Sequence, residues 1–452
     1  DQLDEFNRQV QMYIEEGELQ KADSLIRSKG DIEKRVAEYH EVVAANNAER
    51  EKLEQSEKGA TRTYEDLSRD LLSRSEIFLQ KFQQDSALYY LKLRADLDTT
   101  NVDAVWDYAS ACYKQKKFVD SEKYYLMCLK LCFYKNDAID ASIQNNLGVL
   151  YCDLHDFANS EKYYTSALGN YEQLFQENPN VYRADLAMVH FNFGNLYYNL
   201  QNFANSDKYY RLALENYEQL FLENPNAYRA YLAKIQSDLG LLYVSINDFA
   251  NGEKHYIYAA EHYEALFKQK PDLYRAEIAM VQYNLGNLYG REHKYELCEK
   301  YFIASQEHYE ELLKQNPKYR ANLALVQYNL GNLYGIINNH EICENYLKLA
   351  LENFEQLYLI NPNGFMANLT MTQSLLSYLY MHTKQFEYAM EMINKAIVLM
   401  PLEAKFHDTK GEILLMQGKT NEALEMWKRV LELDPDFLDK YPGGTNLSNG
   451  LR

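Results

Sequence analysis

No stretch of this 452-residue chain holds the ~20 consecutive apolar residues that a helix needs to cross a bilayer, so membrane insertion is not expected. Bases are scarce beside acids: 47 Lys and Arg against 66 Asp and Glu leave a net charge of −19. A phosphate backbone is gripped by basic side chains gathered on one face, and this balance argues against a nucleic-acid partner. Cysteine is sparse as well, with six residues and no CxxC pair. Cys128 and Cys132 lie four apart on one predicted helix, but no histidine near them completes a metal set. Cys112, Cys128, Cys298 and Cys343 fall at packing positions of the pattern described below, where a buried thiol acts as a small hydrophobe.

Catalytic signatures are missing too. His255 and His262 stand one heptad apart without an HExxH motif or a third ligand, which predicts a solvated helix face. The segment GEILLMQGKT at 411–420 superficially resembles a phosphate-binding loop, yet Gly411 is two residues too far from Gly418 and the segment reads as a helix and its turn. No nucleophile and base arrangement emerges, and neither a cofactor nor enzymatic activity is expected.

What the chain does have is repetition. VQYNLGNLYG occupies 281–290 and returns unchanged at 326–335, with looser copies on both sides. One small residue marks each copy: Gly148, Gly194, Gly240, Gly286, Gly331, Ser377 and Gly411, at spacings of 46, 46, 46, 45, 46 and 34. A second small residue follows twelve later (Ser160, Ser206, Gly252, Cys298, Cys343, Ala389, Ala423), and a third position, usually small, comes seven beyond that. Tyr commonly stands three after the marker and Phe or Tyr nine after it. Small residues facing one another let two antiparallel helices approach, with aromatics filling the space beside the contact. Ala109 with Ser121 and Ser75 with Ala87 extend the pattern upstream, giving about nine helical hairpins. All eight prolines avoid the proposed helix interiors, and seven of them follow the second helix of a hairpin.

The pattern resembles the tetratricopeptide repeat, whose helix A carries W-x2-L-G-x2-Y and whose helix B carries A-x3-F and a late Pro. That resemblance, covering residues 63–439, implies an all-α, right-handed superhelical solenoid. It also implies a noncatalytic protein-interaction scaffold that holds a peptide or helix in a concave groove lined by the A helices. The central repeats exceed the usual 34 residues by about 12. Part of the excess reads as extra turns of helix B and part as the YRADLA segment before helix A. Such repeats look like those of kinesin light chains and bacterial scaffolds. The compartment is left open between a bacterial cytoplasm and, if a signal sequence preceded Asp1, the periplasm or cell envelope. In some relatives an Asn ladder on helix A grips the ligand backbone. Asn146, Asn192, Asn284 and Asn329 match that ladder, while Asp238 and Leu375 depart from it.

Dividing helix A at 100° per residue sharpens the candidate surface. Val281, Leu285, Leu288 and Tyr289 share the packing arc with Gly286. The opposite arc carries Met280, Tyr283, Asn284, Asn287 and Arg291, and in other copies Asn192, Asn195, Tyr328, Asn329 and Asn332. A merely solvated face holds Glu and Lys, whereas this one holds Asn, Tyr and Met. The alternative is that the lengthened helices cover this arc themselves. Four Tyr-Arg pairs, at Tyr182, Tyr228, Tyr274 and Tyr319, read as junctions knitting neighbouring repeats.

Residues 1–61 form a separate segment, a hairpin followed by a charged amphipathic helix over 31–58 that breaks around Gly59 and Thr61. Its seam (Ile32, Val36, Tyr39, Val43) either caps the solenoid or makes a homodimer, in which case the protein is a structural self-associating module without a peptide ligand. Residues 62–439 are assigned to the solenoid and 440–452 to a flexible tail.

Overall fold

A computed structural model describes residues 2–46, 53–81, 83–132 and 137–440. Every element among them is helical. The chain opens with α1 (Gln2–Glu15), α2 (Leu19–Arg27) and α3 (Ile32–Asn46). Hairpins of an A and a B helix follow: α4 (Leu53–Gln80) with α5 (Gln84–Leu97), α6 (Val102–Lys114) with α7 (Phe118–Cys132), and α8 (Asp137–Asp153) with α9 (Phe157–Glu177). Next come α10 (Pro179–Asn199) and α11 (Phe203–Glu223), α12 (Pro225–Ser245) and α13 (Phe249–Gln269), then α14 (Pro271–Arg291) and α15 (Tyr295–Gln315). The last are α16 (Arg320–Ile336) and α17 (His340–Ile360), α18 (Pro362–His382) and α19 (Phe386–Leu399), α20 (Ala404–Met416) and α21 (Thr420–Leu433), before the single turn α22 (Phe437–Lys440). The chain divides within α11 into two compact units, Asp1–Asn216 and Tyr217–Arg452, each an all-α stack of consecutive hairpins.

In the amino-terminal unit, Val10, Ile14, Ala22, Ile26, Ile32 and Val36 form one core with Leu67, Leu71 and Ile77 of α4. Arg35 reaches Asp66 at 3.1 Å and Asp70 at 2.5 Å, so the buried Asp70 carboxylate is paired. The α3 seam offered above to a partner chain is therefore spent inside the chain, Ile32 and Val36 against α4 and Tyr39 against Tyr64. Val43 lies outside the residues whose side chains are described. The break expected at Gly59 and Thr61 is absent: α4 runs through both, so the boundary drawn at residue 61 falls inside a helix. One Gly costs a helix only ~1 kcal/mol relative to Ala, which neighbouring turns absorb. The tail at 441–452 lies outside the described residues.

Within a hairpin, the marker glycine is pressed against the side chain sixteen residues later, an aromatic ring in most copies and Leu347 opposite Gly331. A Cβ added to Gly240 or Gly286 would lie 2.5 Å from Tyr256 or Phe302, and Gly411 faces Trp427 in the same way. The second small residue meets the marker's backbone, since Ser160 and Ser206 donate to the carbonyls of Gly148 and Gly194 at 2.8 and 2.9 Å. Where the marker is Ser377 the roles reverse, and its hydroxyl donates to the Ala389 carbonyl at 2.8 Å. The A-to-B turn places one residue in the left-handed region, His155, Gln201, Asn247, His293, Asn338, Lys384 and Gly418 in successive copies.

Most of the long repeats are joined by a single residue, whereas four separate α5 from α6 and α19 from α20. Asn178 separates α9 from α10, Lys270 separates α13 from α14, and Asn361 separates α17 from α18. The proline that follows each forces its predecessor out of the helical region and then opens the next helix, where its missing N–H costs nothing. The YRADLA segment placed before helix A is consequently the first turns of helix A, and α10, α12, α14 and α18 each run 21 residues. The tyrosine three after the marker reaches back one repeat: Tyr197 donates to Glu161 at 2.7 Å, Tyr289 to Glu253 at 2.8 Å and Tyr380 to Glu344 at 3.0 Å. The Tyr-Arg arginines knit as well. Arg229 and Arg275 stack on Phe221 and Phe267 of the preceding B helix, 5.0 and 5.1 Å from the ring centroids, and bond His262 and His308 in their own.

Two outcomes follow for stability. Gly286→Leu overfills the contact with Phe302 and should cost ~1–3 kcal/mol, with faster amide exchange in α14 and α15 first; unchanged exchange there would contradict the contact. Tyr289→Phe removes only the bond to Glu253 and should cost about 1 kcal/mol, read as a lower denaturation midpoint without loss of helix content.

Candidate functional site

In the carboxy-terminal unit, α12, α14, α16, α18 and α20 lie side by side, each touching the next A helix. The packing arc behaves as its periodicity requires, with Val281, Leu285, Leu288 and Tyr289 all buried. The opposite arc is open and carries three adjoining cavities. The first, about 250 Å³, is lined by Asn287, Arg291, Asn329 and Asn332 with Leu333 and Ile336. The second, about 450 Å³, shares Asn332 and Ile336 with it and adds Asn338, His340, Leu375, Tyr378 and His382. The third, also about 450 Å³, shares Leu375 and Tyr378 with the second and adds Tyr328, Met371, Met400 and Phe406.

The candidate residues have different fates in this arrangement. Asn329 donates to Asn287 Oδ1 at 2.9 Å and to the Tyr283 hydroxyl at 3.1 Å, so these three form a cross-repeat cluster at the cavity wall. Asn332 is exposed, separates two cavities and has no hydrogen-bond partner among the described residues. Tyr328 lines the third cavity, and Asn284 is partly buried and lines none of the three. Arg291 borders the first cavity but is tied to the preceding turn: it donates to the Val244 carbonyl at 3.2 Å and to Asn247 at 2.8 Å, and stacks on Phe249.

In the amino-terminal unit the same arc is largely filled. Asn192 is buried and donates to Asn145 at 2.8 Å, and Phe191 packs beside Tyr210. Asn195 accepts from the Tyr210 hydroxyl at 2.6 Å. Asn146, one position from the residue that pairs, is only partly buried and takes no part in that bond.

Residues 189–219, which span the α10–α11 turn and include Gly194 and Ser206, match the family described as Tetratricopeptide repeat. The α10–α11 hairpin is a tetratricopeptide repeat. Apo RapI shares the fold over 75% of this chain and 98% of its own, with a TM-score of 0.54 at 13% identity. BtubC (BKLC) from P. vanneervenii is similar over 51% of this chain and 90% of its own (TM-score 0.42, 18% identity). PilW, a type IV pilus biogenesis factor, is similar over 57% and 98% (TM-score 0.41, 15% identity). No curated protein matches the sequence. No helix among the described residues is long and apolar enough to cross a membrane.

Sequence reasoning missed several residues of the tetratricopeptide A-helix face. Tyr378 stands one after the marker Ser377, the same register as Asn287 and Asn332, and that offset alone would have found it. Met371 and His382 likewise share the register of Met280 and Arg291, whereas His340 and Met400 carry no such signal, because a turn and the neighbouring hairpin bring them in. The histidine pair is also corrected. His255 is buried, bonded through Nδ1 to Gln236 at 2.6 Å and stacked on Tyr243. His262 is half-buried and held below the usual imidazole range, first by burial and then by Arg229. Burial pushes the Cys298 and Cys343 thiols up to about 11, so both stay protonated at neutral pH.

Asp238 interrupts the amides of this face. Burial pushes its carboxyl up to about 6, against the smaller opposing pull of Lys234. A carboxyl raised in the fold favours the unfolded, ionised chain increasingly as pH climbs from about 4 to 6. Asp238→Asn should therefore raise stability above pH 6, by up to about 3 kcal/mol for a shift of roughly two units, and leave it unchanged below pH 4. Denaturant midpoints measured across that range check the sign.

Proposed function

We propose that this protein is a noncatalytic scaffold whose carboxy-terminal unit holds a protein partner, as an extended peptide or a helix, along the face of α14, α16, α18 and α20. The observation that carries this reading is Asn332: an exposed amide, unpaired among the described residues, set between two cavities whose linings include no carboxylate and no lysine. An amide both donates and accepts, so it can pair with the N–H and C=O of an extended backbone. Tyr328, Met371 and Tyr378 beside it supply adaptable apolar contacts. The acidic chain favours a neutral or basic partner.

Self-association through α3 gains nothing from the structure, because the described part of its seam is already covered by α4. The face in the amino-terminal unit is likewise mostly closed by its own Phe191 and Asn192.

Asn332→Ala should leave the fold intact, and it should weaken a partner recovered by pull-down from the source cell and then purified by about 1 kcal/mol, roughly fivefold. Combining it with Tyr378→Ser should deepen the loss. Titration calorimetry in which both variants bind as tightly as the parent would move the site off this face.

A further inference from the structure

The three cavities differ in chemistry, and the third exists for a structural reason. From its first residue through the marker, α18 has sixteen residues (Pro362 to Ser377), whereas α20 has eight (Ala404 to Gly411). The eight extra residues extend α18 by ~12 Å at 1.5 Å each. Those first eight residues run past the start of α20, and the third cavity lies at the foot of this step, lined by Ala367 of the overhang and by Thr370, Met371 and Leu375 alongside Lys405 and Phe406 of α20. Its wall is formed by α18, with Met371 51% exposed, and its floor by the buried Phe406 and the partly buried Met400, whose sulfur lies 3.2 Å from the Thr370 hydroxyl. The charged side chains lining it are Glu403 and Lys405, of opposite sign.

We propose that this step between the long and the short repeats is the specificity pocket of the face: it accepts one large uncharged side chain, aromatic or aliphatic, of an extended peptide whose backbone continues over Tyr378 towards Asn332. The proposal rests on the scaffold reading above and adds which group of the partner is selected and where it sits. Three observations fix the occupant. The cavity, about 450 Å³, accommodates a side chain and its backbone but not a folded element. Its two charges leave no net sign to select an ionic group. It also runs through Leu375 and Tyr378 into the second cavity and from there to the amides of the first, and it is the most apolar of the three. Helix axes 8–10 Å apart make the path from the third cavity to Asn332 ~20 Å, about six extended residues.

A phage-displayed library of linear dodecapeptides selected on the full chain tests this directly, with Ala367→Trp to fill the pocket, Met371→Glu to charge its wall and Asn332→Ala as control. Ala367 and Met371 are both exposed, so neither change touches the core. The expected result is a selected set sharing one Phe, Trp, Leu or Met at a fixed position. Those peptides should bind Ala367→Trp and Met371→Glu at least tenfold more weakly, and Asn332→Ala only severalfold more weakly with the same preference. Peptides that lack a shared apolar residue, or that bind Ala367→Trp normally while losing affinity to Asn332→Ala, would overturn the pocket and leave the scaffold reading standing. A library that yields no binder, or binders indifferent to all three changes, would overturn both.

Discussion

The close approach of helix A, at its small marker residue, to helix B is the contact on which every other feature depends, and in most hairpins it lays a glycine on an aromatic ring. With no Cβ at Gly148, Gly194, Gly240 or Gly286, helix A lies directly on the ring of Tyr164, Tyr210, Tyr256 or Phe302 from helix B. The same proximity lets a serine hydroxyl on helix B reach the glycine's carbonyl. Once that distance is set, the tyrosine three residues on stacks against a ring of its own hairpin, as Tyr151 does on Tyr163 and Tyr289 on Tyr301. Its hydroxyl then extends to the neighbouring repeat's glutamate. One residue type therefore fixes the hairpin and, through it, the spacing of its neighbours.

The lengthened repeat follows from how the corners are made. A single residue before proline turns the chain, so no loop separates B from the next A, and the added residues become helix on both sides. Longer helices need extra ties at their ends. The arginines of three Tyr-Arg pairs, Arg183, Arg229 and Arg275, each supply one by stacking on an aromatic of the preceding helix while bonding their own hairpin, and Arg320 bonds Asn353 of its own hairpin. Conserving that length through α18 and abandoning it at α20 leaves the step on the A-helix face.

Charge distribution separates the faces. The acidic residues that give the chain its net charge serve partly as acceptors for tyrosines between repeats, as Glu161, Glu253 and Glu344 do, while the open A-helix arc is filled with amides, tyrosine and methionine. Arg291 shows how composition alone misleads here: it lies on the open arc, yet its guanidinium is consumed by the turn before it.

By itself the sequence determined the repeat, its period, the packing arc and the hairpin contact, because small residues at fixed offsets can satisfy close helix packing in only one register. It also placed the corners, since proline has a fixed conformational effect wherever it occurs. Which candidate amides face open space was decided only in three dimensions. Asn192 and Asn332 sit on the same arc, but one is buried against Asn145 and the other is exposed, according to what the adjacent helix presents. The α3 seam, the true start of helix A and the pocket at the repeat-length step likewise depend on partners tens of residues away. Periodicity records which way a side chain points along its own helix, not what stands opposite it.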